Sequence, residues 1–346
     1  MSEEMIVGSV PKKADIETRN YNISLLRLIA MVSIIVCHFL QFYNHEAAWW
    51  LNSGVQVFFI ISGYLYSRKK FDNPVEFYKK SFLKIYIPYI IFTLVMTVLY
   101  LLFNKSAFSI ATFIKMIFCL GYYSGLEHLW FVSYILFCYL FTPLMFRFLS
   151  FIEDKKECIK LIIIALLFIA FFAVSILTKS YFNPVRIVAF FIGYVVGFYS
   201  DKYNTKFKII FSLLVFALLI VTCGVRIYFS YIAKEEFKGF DYFVDANRIL
   251  IGLSFFVLFM YAIPQIRPLK LLVFSDKYSY CVYLVHQLFI LSYFNLMGLT
   301  SIAFVNILIT VVVIVLCSLG LYYLVRFFNF VIDLVNLKFC KKKGEA

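Results

Sequence analysis

The stretch Asn22-Ile-Ser-Leu-Leu-Arg27-Leu-Ile-Ala-Met-Val-Ser-Ile-Ile-Val-Cys-His38-Phe-Leu decides the fold. It continues as an apolar run over 22–43, and about 20 such residues are enough for a helix to cross the hydrocarbon core of a bilayer. It follows a polar tail and is long enough to span, so it reads as a membrane helix rather than a cleavable leader. Arg27 and His38 stand eleven residues apart. At about 100° per residue they return to one helix face, roughly 16 Å apart along the axis. Arg27 alone would read as a cation snorkelling to the interface, and His38 alone as a hydrogen-bonded packing histidine. Both on one stripe of an apolar helix point to a functional face, because polar groups at that depth are costly.

Outward from this helix the same reading repeats. Ten apolar runs can be drawn, at 22–43, 52–66, 83–103, 129–149, 159–178, 184–200, 207–229, 247–263, 277–295 and 302–326. The run 108–123 is interrupted by Lys115 and Gly121 and reads as an interfacial or re-entrant segment. Hydrophobic residues make up 63% of the chain and charged residues only 15%, against about 25% charged in soluble domains. That excludes a soluble enzyme, a disordered chain and a secreted disulfide scaffold. Continuous rather than alternating apolar runs exclude a β-barrel. The expected fold is an all-α membrane protein, a polytopic bundle of about ten transmembrane helices. Its expected organisation is a cytoplasmic tail at 1–21, a membrane domain at 22–326 and a basic cytoplasmic tail at 327–346.

The net charge of +14 is explained by topology. With the N-terminus in the cytoplasm, 25 of the 33 lysines and arginines fall on the inner side and 8 on the outer. This asymmetry predicts N-in and C-in. The basic residues are then a topology signal and a contact surface for membrane lipids, not a nucleic-acid groove. The eight cysteines are scattered singly, with no spacing that suggests a metal site or a redox pair.

Four further clusters carry candidate chemistry. The second run, Asn52-Ser-Gly54-Val-Gln56-Val-Phe-Phe-Ile-Ile-Ser62-Gly63-Tyr64, offers Gln56 and Ser62 as hydrogen-bonding groups. Its Gly54 and Gly63 permit close helix approach. The third begins Lys79-Lys80-Ser81-Phe-Leu-Lys84, which is either positive-inside bias or a clamp for phosphates. The fourth opens with Glu127-His128-Leu129-Trp130-Phe131, in which Trp130 alone is an ordinary interface anchor. The ninth reads Ser279-Tyr280-Cys-Val-Tyr283-Leu-Val-His286, with Tyr283 and His286 on a shared face at i, i+3.

Taken in order, these motifs resemble acyltransferase family 3, integral-membrane acyltransferases that modify cell-surface sugars. The Arg27-x10-His38 pair is similar to the family's most characteristic motif. The Gly54–Leu65, His128–Phe131 and Ser279–His286 stretches are similar to three others. The chain departs from the family at the inner end of the third run, where Ser81 and Lys84 stand in place of an arginine pair. The resemblance implies transfer of an acyl group, most often acetyl, from cytosolic acetyl-coenzyme A to an acceptor hydroxyl. The acceptor expected is a glycan or a lipid-linked sugar, and the expected location is a bacterial plasma membrane. No metal is expected. His38 is expected to act as general base or as transient acyl carrier, with Arg27 alongside it. Arg27, Lys80 and Lys84 are the candidate donor-binding cations. Gln56, Ser62, Glu127, His128, Trp130, Tyr283 and His286 are candidate oxyanion or acceptor contacts. Homo-oligomers and envelope-assembly partners are also expected to be open to such a chain. The rival reading is a multi-pass exporter of a surface glycan, but internal repeats of the kind many transporters carry are not visible.

Overall fold

The computed structural model describes residues 19–69, 73–178 and 185–344, with backbone alone at 172, 175–178, 333 and 335–344. The tail 1–18, Lys70, Lys179 and the start of the sixth run at 184 lie outside the described residues, as do the side chains of Lys338, Cys340 and 341–343. The helices are α1 (Tyr21–Phe42), α2 (Gly54–Ser67), α3 (Pro74–Phe103), α4 (Ile110–Ile117), α5 (Trp130–Ile152), α6 (Glu157–Thr178), α7 (Val185–Tyr199), α8 (Thr205–Ile227), α9 (Phe240–Val257), α10 (Lys270–Val285) and α11 (Ala303–Gly344). No strand occurs among the described residues. Among them, six helical stretches are long and apolar enough to cross a membrane: Tyr21–Phe42, Pro74–Phe103, Glu127–Ile152, Thr205–Ala233, Phe240–Ala262 and Ala303–Ile332.

The chain divides into two compact units. The first comprises Asn20–Pro74 and Phe137–Arg267. Its centre is the pairing of the two short apolar helices, α2 and α7. At 14 and 15 residues they are about 21–23 Å long, short of the roughly 30 Å hydrocarbon thickness. They are packed into the unit, where Phe59, Ile60, Ala189, Phe190 and Tyr194 are fully buried. Glycine makes the approach possible. A Cβ on Gly63 would lie 2.0 Å from the Phe190 carbonyl oxygen, and one on Gly193 would lie 2.1 Å from that of Ile60. Small residues at this spacing are a common device for bringing membrane helices backbone to backbone.

α1 begins at Asn20, whose side chain accepts from the amides of Asn22 and Ile23. This is ordinary N-capping by asparagine. Asn22 then reaches across the unit. Its amide nitrogen donates to the Phe259 and Ile263 carbonyls and its oxygen accepts from the Ile266 amide. These bonds satisfy the backbone where α9 unwinds through a π-helical turn at Leu258–Ala262. In an apolar surround, freed backbone groups need such partners.

The second unit comprises Arg19, 75–136 and 268–344 among the described residues. Here the run 108–123 forms only the eight-residue α4 and a non-helical return, as its lysine and glycine suggest. Tyrosines of α3 satisfy the return's carbonyls. Tyr86 donates to Ile117 at 2.9 Å, Tyr89 to Met116 at 2.8 Å and Tyr100 to Ser124 at 2.9 Å. Residues 86, 89 and 100 share one face of a helix by their spacing, so one tyrosine stripe holds the segment.

One span departs from the sequence reading, and one stretch takes a form that reading left open. The expected ninth span, 277–295, is not one helix. α10 stops at Val285 and gives way to a 3-10 turn at His286–Phe289 and irregular chain to 302. Polar side chains there bond to local backbone: Ser292 to Leu288, Asn295 to Ser292, and Asn306 to Met297 and Thr300. Such bonds compete with the helical ladder, which apolar content alone does not reveal. The stretch 327–344, expected as part of a tail, continues α11 in helical form. Its residues 321–343 contain neither proline nor glycine to stop the helix.

Candidate functional site

The candidate residues fall into two groups, one in each unit. Arg27, His38, Gln56 and Ser62 belong to the first unit. On α1, Ile29, Val32 and Val36 form the exposed strip. Arg27 and His38 lie on roughly the opposite side of the helix by its period, and both are half-buried. By that period they face away from the most exposed strip.

His38 has a partner that the sequence reading missed. Its Nδ1 faces the Gln41 side-chain oxygen at 2.6 Å. An amide oxygen only accepts, so Nδ1 carries the proton and the neutral ring keeps its lone pair on Nε2. Gln41 lies one turn on, at i+3. That spacing was the available signal.

Gln56 is buried, and its side-chain oxygen has no hydrogen-bond partner among the described residues. Ser62 is half-buried on the same helix. Six residues apart, the two side chains diverge by about 120° around α2. They cannot both address one atom from that helix.

In the second unit, Lys80 and Lys84 are exposed on α3. Lys80 pairs with Glu76 at 2.8 Å, one turn earlier, so its charge is shared rather than presented alone. Ser81 is buried. The position at which the family often carries its first arginine therefore points into the unit here and holds only a small hydroxyl.

The second unit also joins Glu127-His128 to His286-Gln287. The two imidazole rings stand 4.9 Å apart, edge to face. The Gln287 amide donates to one Glu127 oxygen at 3.1 Å, and the Gly125 amide donates to the other at 2.8 Å. His128 Nε2 donates to the Leu284 carbonyl at 3.1 Å, and His286 Nδ1 to the Tyr283 carbonyl at 2.6 Å. A carbonyl only accepts, so both tautomers follow. The second nitrogens, His128 Nδ1 and His286 Nε2, carry the lone pairs in the neutral rings. Both histidines are buried. Tyr283 packs edge-on to His128 and tilted against His286, and its hydroxyl donates to the His128 carbonyl. That commits the hydroxyl proton to positioning His128. Gln287 is the member of this group that sequence reasoning missed, although it adjoins His286. Trp130 is half-buried and packs edge-on to Tyr134 at 5.3 Å.

Gly125 holds the turn that presents Glu127. Its φ is +83°, and a Cβ there would lie 2.4 Å from Ser292 Cα. Only glycine meets both conditions.

No group of three or more histidine, cysteine, aspartate or glutamate side chains suited to a metal occurs among the described residues. Histidines with one ring nitrogen held by an acceptor, set among apolar helices, suit proton transfer and acyl chemistry.

This combination defines a helical membrane protein with acid–base groups inside it. The chain belongs to acyltransferase family 3: the family's model, described as an acyltransferase domain, matches residues 20–325. No curated protein and no solved structure matches the chain. Family membership together with the long apolar helices makes it a membrane acyltransferase.

Proposed function

We propose that the protein moves an acetyl group from cytosolic acetyl-coenzyme A to a hydroxyl of a cell-envelope polysaccharide or its lipid-linked precursor, in a bacterial plasma membrane. The proposed topology is ten crossings with both termini inside, supported by the distribution of the 33 lysines and arginines. The observation that carries the chemistry is the contact between His38 Nδ1 and the Gln41 oxygen. A base needs its lone pair on a defined atom, and this bond puts it on Nε2.

His38 Nε2 takes the proton of the acceptor hydroxyl as its oxygen attacks the thioester carbonyl. The new C–O bond forms and the C–S bond breaks. The proton passes to the departing thiolate, giving free coenzyme A and the acetyl ester. A two-step variant uses the same nitrogen as nucleophile, with a transient acetyl-imidazole. On α1, Arg27 is assigned to the donor's anionic groups. Lys80 and Lys84 are the proposed donor-side cations of α3, with Glu76 one turn before Lys80. Tyr283 is a positioning residue for His128 rather than an oxyanion donor, because its hydroxyl is engaged by the backbone.

The test is O-acetyl content of surface glycan in a host expressing the protein. His38→Ala and Arg27→Ala are expected to abolish acetylation at unchanged membrane abundance. Retained acetylation in the His38 variant would refute its catalytic role. Acetyl-coenzyme A that neither binds nor turns over on purified protein would favour the exporter reading.

A further inference from the structure

Arg226 is buried near the end of α8, yet among the described residues no carboxylate forms an ion pair with it. Its Nη1 donates to the Asn247 oxygen at 3.0 Å and its Nη2 to the Trp49 carbonyl at 3.1 Å. The guanidinium lies over Trp50, 3.9 Å from the ring centroid. Asn247 is fully buried and donates to Thr222 Oγ1 at 3.0 Å, which fixes its oxygen toward Arg226. All these partners are neutral. The neighbouring acid, Asp245, is on Arg248 at 2.9 Å, with side-chain exposures of 18% and 16%. Arg248 and Arg226 are close enough to repel each other. The Arg248 Nε is buried with no hydrogen-bond partner among the described residues.

Two guanidiniums therefore share one carboxylate in a poorly solvated place. An excess cation there is costly unless an anion compensates it, and such residues in membrane proteins usually mark a binding path. Guanidinium donors fit the oxygens of a phosphate or carboxylate.

The location links this cluster to His38. Trp49 and Trp50 sit on a short helix, Ala48–Leu51. Its Ala48 carbonyl accepts from Cys37 Sγ at 3.1 Å, and its Leu51 carbonyl from Ser33 at 2.9 Å. Cys37 adjoins His38 in α1. On the proposed orientation, Arg226 and Arg248 belong to the outer side, where only 8 of the 33 basic residues fall. Two of those eight converge here, against the general bias. Trp49, at 53% exposure, adds an aromatic surface whose negative face suits the polarised C–H groups of a sugar.

We propose that Arg248, backed by Arg226 over Trp50, is a subsite for an oxyanion carried by the sugar acceptor, either the phosphate of a lipid-linked precursor or the carboxylate of an acidic sugar. Arg248 offers the more open face and Arg226 the second charge behind it. Only the identification of the ligand as the acceptor rests on the acyltransfer reading.

The test uses the full chain in nanodiscs of phosphatidylcholine, with binding read by intrinsic tryptophan fluorescence. The probes are a glucuronate trisaccharide, the same trisaccharide with its carboxyls reduced to alcohols, and farnesyl phosphate. At least one charged probe is expected to bind, more weakly as salt rises, and the reduced trisaccharide at least tenfold more weakly than its acid form. Arg248→Gln is expected to weaken the charged probe at least tenfold at unchanged thermal stability, with Arg248→Lys in between. Binding by the glucuronate or by the farnesyl phosphate identifies the source of the oxyanion. The proposal is overturned if neither charged probe binds, if reduction of the carboxyls leaves affinity unchanged where the glucuronate binds, or if Arg248→Gln has no effect. Charge-dependent binding without acetyl transfer would uphold the subsite and count against the acyltransfer reading. Acetyl transfer with no charge dependence would do the reverse.

Discussion

A neutral glutamine beside His38 has consequences different from those of a carboxylate. Gln41 orients the ring without placing a full negative charge on it. Gln41→Leu removes the acceptor; the ring becomes an imidazolium as it takes the proton of the sugar hydroxyl, and a hydrogen bond to a charged group is worth about 1.5–3 kcal/mol. Acetyl transfer should fall about 10- to 100-fold, with membrane abundance unchanged. Gln41→Glu keeps the acceptor and adds charge that favours the imidazolium. The base acts in its neutral form, so raising its pKa moves the acid limb of the rate–pH profile to higher pH. An unmoved limb would show that Gln41 does not orient the base. In the other unit, Tyr283→Phe leaves the His128 carbonyl without the hydroxyl that binds it. An abandoned buried acceptor costs about 1–3 kcal/mol, so thermal stability should drop while the ring packing is kept.

The pairing of α2 with α7 rests on backbone contact, so added volume has nowhere to go. Gly193→Leu places side-chain atoms where the Ile60 carbonyl stands. Overpacking of this kind costs about 1–3 kcal/mol or more, and the detergent-solubilised variant should unfold at clearly lower temperature. A variant as stable as the parent would mean the helices can separate freely. The links before α6 and α8 are electrostatic instead. Lys160 and Tyr203 both bond Glu157 and hold its carboxyl below the ordinary glutamate range, while burial and that carboxylate push the Tyr203 hydroxyl up to about 12. A depressed carboxyl stabilises the fold above its unfolded pKa, and the contribution is lost as pH falls through its folded one. Thermal scans should therefore show the parent losing stability as pH falls through and below the ordinary glutamate range, and Glu157→Gln losing less over the same range.

Across the whole molecule, the basic residues predict a measurable topology. Alkaline phosphatase fused after residue 204 or 344 should be inactive, and fused after 236 active. Activity at 344 would break the N-in, C-in assignment. The all-helical fold was legible because apolar runs of 20 or so residues have few physical outcomes. The stripe of Arg27 and His38 was legible because helical period is a local property. The re-entrant reading of 108–123 rested on Lys115 and Gly121 alone. The tyrosines that hold its return share one face of α3 by their spacing, but which carbonyls they meet is set only by the folded chain. The break after Val285 was hidden because serine and asparagine bond to local carbonyls without lowering apolar content enough to register. Composition, span length, charge asymmetry and helix faces were thus determined by the amino-acid order, since each depends on neighbours along the chain. Tertiary structure alone set Glu127 against Gln287, 160 residues apart, brought His128 to His286, and stacked Arg226 on Trp50 with its hydrogen bonds going to neutral groups. Those relations depend on which distant backbone approaches, and no local period encodes that.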